Sequence, residues 1–156
     1  MEVIRYTILG DPRTKKNHQR IAGQGIRCAL CGKFKREFIV QSAAHDAFEK
    51  SAVKQLFPRP EKPISCPVNV CCVFWMATRR KVDKSNLEAT VHDLLVETGI
   101  LADDSRDILA GTDGSRVYYD KANPRVEITI TKMADYAQWK DLSTEQLTME
   151  GLADDA

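Results

Sequence analysis

The chain has 156 residues, 43% of them apolar and 29% charged, with a formal net charge of +1. That length suits one domain with a real core, and no run of about 18 apolar residues is present to cross a membrane. Five cysteines, an odd number, with no export signal in MEVIRYTIL, argue against a disulfide framework and for reduced thiols in an intracellular protein.

Val3 to Leu9 alternates loosely and is β-branched, which predicts a strand. Gly10, Asp11 and Pro12 end it. Residues 11–38 form a basic segment with few apolar positions, read as a long loop or loose hairpin, and loops of this length usually carry function or move. Residues 1 to 40 hold nine Lys or Arg against three acids, whereas residues 135–156 hold six acids against Lys140 alone. A near-neutral total thus hides a basic region suited to a polyanion.

Ala44, Phe48, Ala52, Val53 and Leu56 recur at helical spacing, with Ser42 as a start and Pro58 and Pro60 as stops. Val68 to Met76 is almost wholly apolar and reads as a strand buried on both faces. A basic turn, Arg79-Arg80-Lys81, precedes a second helix from about Ser85 to Thr98. Leu87, Val91, Leu94 and Leu95 form its apolar stripe, Ser85 and Glu88 fit a capping box, and Gly99 stops it. Short strands are expected at 108–109 and 117–119, around the turn Thr112-Asp113-Gly114. Arg125 to Thr131 alternates cleanly, with Val126, Ile128 and Ile130 on one side. These elements predict one α+β domain over residues 1–134, a mixed sheet of four to five strands with two main helices. Residues 135–156 form an acidic tail in which Ser143 and Gln146 could cap a short helix.

The stretch KVDKSNLEATVHDLLVETGILADDS, residues 81–105, holds the acids with chemical interest. Asp83 precedes the helix, and Asp103 and Asp104 follow it. Carboxylates are the oxygen ligands a hard cation such as Mg²⁺ takes. Each has a plainer reading: Asp83 as a helix N-terminal acid, the pair as a polar turn. Asn86, Asp93 and Glu97 share a stripe away from the leucines. A full-length helix spans about 21 Å, while residues 99 to 103 return at most about 17 Å. Asp83 and Asp104 of one chain therefore meet only if the helix is shorter or tilted, or a second subunit completes the site.

This block resembles the RusA family of Holliday junction resolvases. Asp83, Asn86, Leu87, Asp93, Gly99, Asp103 and Asp104 match the family pattern without a gap, and Gly10-x-Pro12-x-x-Lys15 is similar to its opening. The resemblance implies a homodimeric, Mg²⁺-dependent endonuclease that cuts branched DNA, encoded by a bacterium, phage or prophage and acting in the cytoplasm. It implies Asp83, Asp103 and Asp104 as catalytic metal ligands, with Asn86 and Asp93 supporting. Ser85 stands where the family has an acid, and Asp113 is a substitute candidate. Ala89 stands where the family has a lysine. Lys15, Lys16, Arg79, Arg80, Lys81 and Lys84 would neutralise phosphates. The two departures leave a second reading open, a DNA-binding relative with weak or no catalysis.

Cys28-Ala29-Leu30-Cys31-Gly32 has the spacing of one half of a zinc knuckle. It supports a third reading, a zinc-dependent interaction module, with Cys66, Cys71, Cys72, His18 and His45 as possible completing ligands.

Overall fold

The structure, a computed structural model, describes residues 3–14, 20–22, 27–33, 38–40 and 42–133. In chain order the elements are β1 (Val3–Leu9), β2 (Arg20–Ala22), β3 (Phe38–Val40), α1 (Ala43–Gln55), β4 (Val68–Met76), α2 (Lys84–Glu97), β5 (Leu109–Gly111), β6 (Arg116–Tyr119) and β7 (Arg125–Lys132). Five strands make one mixed sheet in the order β1-β7-β4-β5, with β6 also paired to β4. The predicted single α+β domain with a mixed sheet and two helices is what forms.

β4 is the axis. It pairs antiparallel with β7 from Val68↔Lys132 to Trp75↔Arg125. On its other side β5 and β6 pair with it in parallel, one after the other. Parallel neighbours need a long crossover, and α2 supplies it. β4, α2 and the β5–β6 edge form one βαβ unit, to which β1 and β7 add an antiparallel flank.

The core lies on one face of the sheet, under both helices. Val68, Val70, Cys72, Phe74 and Met76 of β4 and Val126, Ile128 and Ile130 of β7 are buried with Leu87, Val91, Leu94 and Leu95 of α2. Burial of each such aliphatic side chain contributes about 1.5–3 kcal/mol. β4 was expected to be buried on both faces. Instead it alternates, with Asn69, Cys71, Val73 and Trp75 only half-buried. The reason is architectural: both helices pack into a single core cluster on one side, and among the described residues no helix covers the other side.

α1 begins as expected, with the Ser42 hydroxyl accepting from the His45 N–H at 3.2 Å. α2 does not. Its N-cap is Asp83, not Ser85, and the capping box fails with it. Glu88 turns instead to Lys84, 3.0 Å away, and is buried. At the other end Gly99, at φ +73°, lets the chain reverse. Its N–H reaches the Val96 carbonyl and the Ile100 N–H reaches that of Leu95, a Schellman closure.

In the basic segment, β2 and β3 pair antiparallel, Arg20↔Val40 to Ala22↔Phe38, so its described parts are arranged as a hairpin. The acidic tail, with Ser143 and Gln146, lies outside the described residues.

Candidate active site at the ends of the second helix

Asp83 sits just past the C-terminal end of β4, exposed. One carboxylate oxygen accepts from the Ser85 N–H at 3.0 Å and the Ser85 hydroxyl at 2.6 Å. The other accepts from the Asn86 amide at 3.2 Å. Asn86 and Ser85 thus orient Asp83. A carboxylate at this position also meets the positive end of the helix dipole.

Asp103 and Asp104 lie beyond the other end of α2, both exposed. Asp103 accepts from the Asp104 N–H at 2.8 Å. They follow Leu101, which bridges Ile64 on the approach to the N-terminal end of β4. The Asp104 charge acts on His92 of α2. His92 is nine residues past Asp83, about 13 Å along the axis at 1.5 Å per residue. α2 keeps its full 14 residues. Among the described residues no three His, Cys, Asp or Glu side chains gather into a group able to hold a metal ion. Asp83, Asp103 and Asp104 are suitable in kind for a hard divalent ion, as exposed oxygen donors. In arrangement they do not form such a nest within one chain.

Asp113 is not brought to these acids. It sits in the turn between β5 and β6, where its N–H donates to Asn69 Oδ1 at 2.7 Å and its carbonyl accepts from Asn69 Nδ2 at 3.1 Å. The Asn69 amide also explains Gly111, since a Cβ there would lie 2.8 Å from Asn69 Oδ1. The turn clamps the sheet edge at β4. Asp93 is exposed on the outer side of α2.

The basic residues divide. Arg79, Arg80 and Lys81 are exposed and lead directly into Asp83. Lys84 is engaged with Glu88. Lys15 and Lys16 lie outside the described residues, but the chain that leads to them is anchored nearby. Asp11 accepts from the Ala77 N–H at 2.9 Å and pairs with Arg13 at 2.9 Å. The root of the basic segment is therefore tied to the same end of β4 that delivers Asp83.

Two features escaped sequence reasoning. One is aromatic. The Arg79 guanidinium lies 4.5 Å over the Tyr119 ring. Trp75 is sandwiched by Arg125 at 4.5 Å and Tyr118 at 4.9 Å. Tyr118 and Tyr119 remain exposed on β6; two adjacent tyrosines after Arg116 in a short strand were the available signal. The other is the buried middle of α2. Burial pushes the His92 imidazole below its usual pKa, against the opposing pull of Glu88, Asp104 and Asp93. Its Nε2 is buried with no hydrogen-bond partner among the described residues. One turn earlier Glu88 is buried as well. The helical stripe alone could not distinguish these polar positions from solvent-facing ones.

An open cavity of about 500 Å³ is lined by Asp46, Glu49, Lys50, Val53 and Lys54 of α1 and Glu97 of α2, and Asp83 is not among its lining residues. Comparison of the chain with protein families and with curated proteins finds no match.

Proposed function

We propose that this chain is a structure-selective DNA endonuclease of the RusA type, acting with Mg²⁺ as a homodimer on branched DNA such as a Holliday junction. The observation that carries the reading is the grouping at the C-terminal end of β4. An exposed, oriented carboxylate, Asp83, directly follows the exposed run Arg79-Arg80-Lys81 and stands beside the root of the basic segment. Cations next to a carboxylate suit a phosphodiester: the cations bind the backbone and the carboxylate serves the scissile phosphate.

In this reading Arg79, Arg80 and Lys81 hold backbone phosphates, with Lys15 and Lys16 extending the track. Tyr119, already stacked beneath Arg79, offers a ring face to an unpaired base at a branch point. Ser85 and Asn86 hold the Asp83 carboxylate in one orientation. Asp103 and Asp104 complete the acid set from a second copy, since no three acids gather among the described residues of one chain. Asp83, Asp103 and Asp104 would hold the divalent ion, which when bound would supply charge against the phosphoryl oxygens and an activated water. The cellular setting that follows is the cytoplasm of a bacterium or of a phage-infected cell.

A specific observation favours one other reading. Asp83 serves as the α2 cap, Ser85 replaces a carboxylate, and no three acids converge among the described residues. A relative that binds branched DNA without cutting it would have these features.

Cleavage of a synthetic four-way junction with Mg²⁺, by the native chain and by Asp83→Asn and Asp104→Asn variants, decides between them. The endonuclease reading expects cutting by the native chain and loss in both variants, with junction binding kept. Equal inactivity of all three with binding retained leaves the non-cutting relative. Absence of salt-sensitive DNA binding removes both.

A further inference from the structure

The Cys28–Cys31 turn plays no part in the function proposed above. The Cys28 N–H donates to the Lys33 carbonyl at 2.8 Å, and the Gly32 N–H donates to the Cys28 carbonyl at 2.9 Å. Gly32, at φ +66°, makes that closure possible. The N–H groups of Cys31 and Leu30 and the Cys31 thiol are hydrogen-bond donors to the Cys28 sulfur. The two sulfurs therefore stand together at one tight turn.

Among the described residues nothing apolar packs on this turn. Of residues 27–33 none is buried, and Leu30, between the cysteines, is 98% exposed. A short segment without a hydrophobic anchor is the kind that a metal cross-link stabilises, because binding free energy then becomes folding free energy. Cys-x-x-Cys is the spacing that places two thiolates on one tetrahedral zinc. Soft sulfur donors select zinc over the hard ions that carboxylates take.

We propose that Cys28 and Cys31 are half of a structural zinc site. Each thiol gives up its proton as its sulfur bonds to the ion, which stays divalent throughout. No third ligand stands beside them among the described residues, so two further nitrogen or sulfur donors come from outside that set. Either the same chain provides them, with His18 as its one imidazole in the basic segment, or the same turn of a second copy does. The exposed Leu30 would be covered in the second arrangement.

The test is metal analysis of the full chain purified without added zinc, followed by Co²⁺ titration monitored by the sulfur-to-cobalt charge-transfer band. The expected result is bound zinc and a cobalt band, both lost in Cys28→Ser and in Cys31→Ser, and both kept in Cys66→Ser and Cys71→Ser. One ion per chain, lost in His18→Ala, places the remaining donors in the same chain. One ion per two chains, with metal-dependent dimers and no effect of His18→Ala, places them in a second copy. Less than a tenth of an equivalent of zinc with no cobalt band overturns the proposal. So does a band that survives the double serine variant, or a Cys28–Cys31 disulfide that takes up no metal after reduction. Because the readouts are metal content and absorbance, they remain informative whether or not the chain cuts DNA.

Discussion

The two sides of α2 contrast sharply. Its inner side, Leu87, Val91, Leu94 and Leu95, is at most 1% exposed and fills the space over β4 and β7. Its remaining functional positions are polar and differ from one another. Asp83 is an exposed cap, Glu88 is a buried acid paired with Lys84, and His92 is a mostly buried imidazole. The inner side is governed by volume, where residues of similar size can replace one another. The polar side is governed by atom position, where a change of one atom alters the chemistry while the fold persists.

Leu94→Ala provides the sharpest test of the first half of that contrast. The side chain is fully buried, and truncation leaves a cavity costing about 2–5 kcal/mol. Urea denaturation should show this as a lower midpoint with little change in slope. Any loss of DNA cleavage should scale with the unfolded fraction. A cost below about 1 kcal/mol would mean the inner stripe is not packed as described.

Asp83→Asn tests the other half. Asparagine caps a helix about as well as aspartate, and Oδ1 can still accept from the Ser85 N–H. Stability should move by less than about 0.5 kcal/mol. Cleavage should fall by about 100-fold or more, the scale on which loss of one charge-organising group acts. Asp83→Ala should show the same loss of cleavage and an added stability cost of about 1 kcal/mol from the missing cap. If Asp83→Asn cuts as well as the native chain, Asp83 is a cap and nothing more.

What could be read from the sequence follows the same division. The leucine stripe of α2, the alternation of β7 and the stop at Gly99 were legible because periodicity and backbone conformation are local properties. The cap was misread because Ser85 and Asp83 are both good capping residues, and only the start of the helix decides between them. The one-sided burial of β4 was missed because nothing within VNVCCVFWM reports how many layers cover the sheet. The Arg79–Tyr119 and Trp75–Arg125 stacks were not legible either, because they join residues 40 and 50 positions apart through the pairing of β4 with β6 and β7.

Those stacks give a smaller expected effect. Tyr119→Ala removes a ring that costs the core nothing, since Tyr119 is 42% exposed. Loss of the cation–π contact costs about 0.5–1 kcal/mol at such a site. Arg79→Ala should weaken junction binding and reduce the slope of log affinity against log salt by about 1. Tyr119→Ala should weaken binding without changing that slope, since a ring contributes no counterion release. Identical salt slopes for Arg79→Ala and the native chain would place Arg79 away from the DNA.

The mildest effect concerns acid. Burial lowers the His92 pKa in the folded chain, while the unfolded chain titrates near the ordinary value of about 6.5. As pH falls through about 6.5 the unfolded state takes up a proton that the folded state resists, so stability declines toward the folded pKa. Above about 6.5 both states are neutral at this position and the effect is absent. For one proton the slope is at most about 1.4 kcal/mol per pH unit. Denaturation midpoints should therefore fall between pH 7 and pH 5.5, and less so in His92→Gln. An NMR titration of the native chain checks the same claim without a mutation: the His92 ring signal should have its midpoint below 6.5. A midpoint at or above that value would show that the charges of Glu88, Asp104 and Asp93 outweigh burial. The middle of α2 would then behave as part of the wet rim rather than as an extension of the core.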